Sequence, residues 1–153
     1  MELNEKTKRV LEVLDGGNSA LDQKILPLVN AINSLSGIRT RSSCGGHFNR
    51  YPFVHFWVDG SPNSMAGLCF ISHAIKSYEW KLVALPVGSI GELLLEFVVL
   101  PGLALKDWDH DQSVISIRAS SPQSVEIEQD RIEDIAGRLL ALSKNSRYVP
   151  QNF

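Results

Sequence analysis

The sequence predicts an α+β fold in which a mixed or mainly antiparallel sheet packs with helices, in the order ααββαβββα. Three observations carry this. Segments with helical spacing and segments with strand-like runs follow one another without strict alternation, which argues against a regular βαβ series. A strand–loop–strand stretch, Trp80 to Leu100, holds a Gly-Ser-Ile-Gly loop of hairpin type. The 153 residues suit a single domain, with 1–17 as an N-terminal helix and linker and 145–153 as a frayed tail. A chain of this length buries roughly 70% of its unfolded surface and needs no disulfide or metal to fold.

The elements follow in order. Leu3 to Leu14 predicts a first helix, with Val10, Leu11 and Leu14 on one face, closed by Asp15-Gly16-Gly17-Asn18. Ser19 can cap a second helix running to about Leu35, with Ile25, Leu28, Val29, Ile32 and Leu35 at helical spacing. Pro27 inside that pattern predicts a late start or a kink. Ile38 to Ser42 is a short strand, and Pro52 to Asp59 a second one rich in aromatic and β-branched residues. Ser61 and Pro62 fit the cap and first turn of a helix from about Asn63 to Tyr78. Strands Trp80 to Val87 and Leu93 to Leu100 follow, then a polar loop from Ala104 to Gln112 and a strand from Val114 to Arg118. Ser120-Ser121-Pro122 breaks the chain before a helix spanning about Glu126 to Ser143.

Composition narrows the function. The net charge of −2 excludes a uniformly basic nucleic-acid coat. Charge is uneven, however. No Asp or Glu lies between Gln23 and Val58, while Lys24, Arg39, Arg41 and Arg50 do. Such asymmetry steers anionic ligands to one side of a molecule. The start of the chain lacks an apolar signal core, and Leu93 to Leu105 is too short and interrupted to span a bilayer. With only Cys44 and Cys69, these features predict a cytoplasmic protein with two thiols and no membrane partner.

The strongest motif is Thr40-Arg41-Ser42-Ser43-Cys44-Gly45-Gly46-His47. Consecutive glycines allow backbone N–H groups to form an anion nest. Ser42, Ser43, Gly45 and Gly46 are therefore candidate ligand-binding residues, with Arg39, Arg41, His55 and Arg118 supplying charge or hydrogen bonds. Cys44 and His47 are candidate catalytic residues, a thiol with a possible base three positions on. The alternative for the same motif is a tight turn around a buried cysteine. No metal is expected. The set Cys44, His47, Cys69 and His73 has the donor types for zinc, but Cys69 lies in an apolar helix where cysteine serves as a small core residue. Asp107-x-Asp109-x-Asp111 resembles the start of a calcium loop but carries Gln112 and Arg118 at the glycine and glutamate positions. Phosphate-loop, dinucleotide, nucleophile-elbow and H-E-x-x-H signatures are absent from the sequence.

The same segment resembles the T-x-S-S-C-S-G motif of the wybutosine-synthesis tRNA methyltransferases, and Val114 to Ser120 is similar to that family's strand with an Ile-Arg-Ser element. The resemblance extends over Ile38 to about Ser143, with identities confined to these two stretches. It implies S-adenosylmethionine as cofactor and methylation of a modified guanosine beside a tRNA anticodon. Ser42, Ser43, Cys44 and Gly46 match the motif, and Arg118 matches the later arginine. Gly45 and His47 depart from it, and S-C-x-G-H also resembles a small uncharacterised family. Three functions therefore stand as expectations: a tRNA-modifying methyltransferase-like domain, a non-enzymatic domain binding an anion or small ligand, and a cysteine enzyme using Cys44 with His47 or His55.

Overall fold

A computed structural model describes residues 23–85, 95–109, 112–115 and 118–145, with the backbone alone for 106–109 and 112–115. The expected first helix, the Ser19 cap, the loop at 88–91 and the tail beyond 145 lie outside the described residues. Within them the fold is α+β: three helices and a four-stranded antiparallel sheet.

Helix α1 (Leu26–Asn33) starts late, with Pro27 in its first turn, where a missing N–H costs no helical hydrogen bond. Its last residue, Asn33, donates to Thr40 Oγ1 at 2.9 Å and accepts from the Thr40 N–H at 2.8 Å, which fixes the following strand against the helix. That strand, β1 (Ile38–Cys44), pairs with β2 (Phe53–Val58). Helix α2 (Pro62–Lys76) is capped by the Ser61 hydroxyl, which accepts from the Ser64 N–H at 3.2 Å. Strands β3 (Trp80–Leu85) and β4 (Leu95–Pro101) pair with each other, and β4 also pairs with β2, giving the order β1-β2-β4-β3.

Two expectations need correction. The polar stretch after Ala104 is not a loop: a short 3₁₀ turn (Gly102–Ala104) leads into β5 (Leu105–Asp109), which pairs with β6 (Gln112–Ile115). Ladder hydrogen bonds use the backbone, so a run of Asp side chains does not forbid a strand. The last helix, α3 (Pro122–Asn145), begins four residues before its expected start. Pro122 opens it, and the Ser121 hydroxyl accepts from the Ser124 N–H at 3.2 Å.

The sheet has apolar groups on both faces. Val54, Phe56, Val58, Val99 and Trp80 meet the three helices in the larger core. On the opposite face a smaller cluster gathers Cys44, Tyr51, Phe53, Val98, Leu100 and Val125. Val125, from the first turns of α3, thereby reaches the second face while Ile132, Ile135 and Leu139 of the same helix fill the first.

Candidate functional site

The Ser-Cys-Gly-Gly-His segment is split by its burial. Cys44 ends β1 with 0% exposure, enclosed by the smaller core. Gly45 and Gly46 are also buried. Their carbonyls both accept from Gln129 Nε2, each at 3.0 Å, and Gly46 takes φ +89° under Val125 and Gln129. The glycines let the chain turn closely beneath α3. The carbonyls of the expected anion nest thus face α3. Cys44, expected as a nucleophile, has no exposed surface and packs inside the smaller core. His47 is exposed, and its backbone closes a tight turn with Arg50 through two hydrogen bonds of 3.0 Å.

The four residues with the donor types for zinc do not assemble. Cys44 is in the sheet core, whereas Cys69 and His73 are exposed on α2. Among the described residues no group of three His, Cys, Asp or Glu side chains is placed to hold a metal ion.

The turn His47-Phe48-Asn49-Arg50 does converge with Arg118. Arg50 and Arg118 form a β-bridge, and the Ala119 N–H donates to the Asn49 carbonyl at 2.8 Å. Phe48, at the tip, is 77% exposed. Lys24 comes to the same end of the molecule and donates to Gln129 Oε1 at 3.4 Å. Phe48, Arg50, Arg118, Lys24 and His47 thus belong to the same end of the molecule. Phe48 was missed by sequence reasoning, since a lone phenylalanine in a polar turn gives no sign of its exposure.

The remaining candidates lie along the sheet. Arg39 pairs in register with Trp57 and, with Gly37, Ile38, Trp57 and Asp59, lines an open depression of about 280 Å³. Ser43 stands opposite Val54, which belongs to the helix-facing core. Arg41, Ser42 and His55 join a network on the other face. Its centre is Glu96, 4% exposed, which sequence reasoning treated only as an interruption of an apolar run. The Glu96 carboxylate accepts from Arg41 Nη1 at 2.9 Å and Trp57 Nε1 at 2.7 Å, both through Oε1, and its Oε2 lies 3.0 Å from His55 Nε2. The Arg41 guanidinium also sits 5.8 Å from the Trp57 ring centroid. Ser42 Oγ lies 3.3 Å from His55 Nδ1. A charged residue inside an apolar strand is the signal that points to such a network, because buried carboxylates persist only when paired.

A β-bulge creates the network. Ile38 and Thr40 oppose Val58 and Phe56, so a regular ladder would set Ser42 opposite Val54, facing the helices. The register shift between Thr40 and Ser42 sets Ser42 opposite His55 instead. One extra residue exchanges the two faces of a strand.

Together the described residues define an α+β domain with a basic, aromatic-tipped turn at one end and a buried Ser–His–Glu–Arg network on the sheet. No protein-family model matches the chain, and no curated protein matches it. Among solved structures, the PH1069 protein from Pyrococcus horikoshii is similar, with 14% identity over 90% of this chain and 89% of that one and a TM-score of 0.38. No described helix is long and apolar enough to cross a membrane.

Proposed function

We propose that the protein is an RNA-binding domain of the tRNA-methyltransferase type, which engages a tRNA loop through the His47–Arg50 turn and uses S-adenosylmethionine as methyl donor. The observation that carries this reading is the pairing of Asn49 and Arg50 with Arg118 and Ala119. The end of the second stretch that resembles wybutosine-synthesis methyltransferases, Arg118 and Ala119, meets the turn that directly follows the first. The side chains they gather there suit RNA. Arg50, Arg118 and Lys24 complement phosphates, and Phe48 offers a face on which an unstacked base can lie. The net charge of −2 then confines binding to this local patch.

For methyl transfer the protein must chiefly hold donor and acceptor in line, and no protein nucleophile is required. The burial of Cys44 accords with that chemistry and disfavours the cysteine enzyme.

Calorimetric titration with S-adenosylmethionine and, separately, with an anticodon stem-loop RNA tests both halves. Saturable binding of each is expected, with RNA affinity falling as salt rises. Phe48→Ala and Arg118→Glu are each expected to weaken RNA binding by about tenfold, consistent with one lost stacking or phosphate contact. RNA binding without donor binding would leave a non-enzymatic RNA-binding module. Absence of RNA binding would overturn the proposal.

A further inference from the structure

We infer that Ser42 is a base-activated nucleophile, part of a Ser42–His55–Glu96 relay able to accept an acyl group from an activated carboxylic ester or thioester. This activity stands apart from RNA binding and uses none of the residues of the basic turn.

The hydrogen-bond roles follow from the partners. The Glu96 carboxylate accepts from Arg41 and Trp57 through one oxygen and faces His55 Nε2 with the other at 3.0 Å. A carboxylate is acceptor-only, so Nε2 carries a proton, and in the neutral imidazole that a general base requires Nδ1 holds the lone pair. Ser42 Oγ, 3.3 Å from Nδ1, is then the donor. Serine, imidazole and carboxylate stand in the order that activates a hydroxyl, with the third group orienting the second. Burial is graded to match. Glu96 and His55 are enclosed at 4% and 0% exposure, while Ser42 is half-buried on the outer strand of the four-stranded sheet. Here the register shift is what brings Ser42 across from His55.

In the step proposed, the Ser42 hydroxyl proton passes to His55 Nδ1 as Oγ bonds to the carbonyl carbon. Glu96 Oε2 holds the imidazolium that results. Collapse of the tetrahedral adduct breaks the C–O or C–S bond, and the leaving alcohol or thiol takes the proton from His55. Water then attacks the acyl-serine by the same route, releasing the carboxylic acid and restoring Ser42.

The test is labelling of the full chain with a fluorophosphonate probe, in which a P–O bond forms at an activated serine and fluoride departs. One adduct per chain, mapped to Ser42 by tandem mass spectrometry, is expected on folded protein. It should be lost in Ser42→Ala and in urea-unfolded protein. Glu96→Gln should slow labelling by about a hundredfold, in line with the loss of general-base catalysis. If Glu96→Gln does not fold, the Ser42→Ala and unfolded controls still decide. No adduct at Ser42 on the folded wild type, or an adduct formed equally fast on unfolded chain, would overturn the inference, whatever the outcome of the RNA titrations.

Discussion

Gly46 combines two constraints at one residue. Its φ of +89° lies in the left-handed region, and a Cβ there would stand 3.0 Å from Val125 Cγ1, 3.1 Å from Gln129 Nε2 and 3.2 Å from the Arg50 carbonyl. Gly60 has a similar φ of +78° but nothing within 4 Å of an added Cβ. The two separate conformation from crowding. Gly60→Ala should cost about 1 kcal/mol, the strain of the backbone alone. Gly46→Ala should cost about 2–4 kcal/mol, since crowding under α3 adds to that strain. Urea denaturation of both variants measures the difference, and equal losses would mean that the loop does not dock beneath the helix. The same residue marks the limit of sequence legibility at this scale. Two adjacent glycines show that the backbone turns tightly. They do not show whether the turn opens toward a ligand or closes against a helix, because that depends on Gln129, more than 80 positions away.

At the level of single elements, the entry to α2 is the clearest case. Ser61 was legible as its cap because the cap, Pro62 and the preceding Asp59-Gly60 are local in sequence. The structure adds Asp59, whose carboxylate accepts from the Ser61 N–H at 2.8 Å. Hydrogen bonds from the Ser61 hydroxyl, then from the Ser61 backbone, then from the Ser64 hydroxyl lower its pKa below the ordinary 3.8. A carboxyl whose pKa is depressed by folding stabilises the fold above its unfolded value. That contribution is lost as pH falls through the folded value. Asp59→Asn should therefore be less stable than wild type at neutral pH, and the gap should close as the pH drops below 3.8. A gap that stayed constant across urea melts at descending pH would show that the charge is not involved. Other elements were less legible for a physical reason. Backbone pairing in β5 ignores its Asp side chains, and the bulge in β1 leaves no mark in a run of Arg and Ser residues. Glu96, Trp57 and His55 could each be seen in the sequence, but not their meeting, which needs the order β1-β2-β4.

Across the whole molecule, the second face of the sheet depends on α3, which spans both cores. Val125 packs with Cys44, and Gln129 binds the two glycine carbonyls that follow it. Cys44 is therefore a built-in reporter of this face, and Cys69, exposed on α2, is its internal reference. A thiol-reactive disulfide reagent should modify Cys69 at once in native protein. Cys44 should react only as fast as the structure opens, because a fully buried sulfur is reached through local or global unfolding. Gln129→Ala leaves both glycine carbonyls without their side-chain donor and should cost about 1–2 kcal/mol. If that loss is felt through opening of this face, Cys44 modification should accelerate by about fivefold to thirtyfold while Cys69 is unchanged. Equal acceleration of both thiols would instead mean that the fold loosens as one unit. Immediate reaction of Cys44 in the wild type would contradict its burial and restore it as a candidate nucleophile.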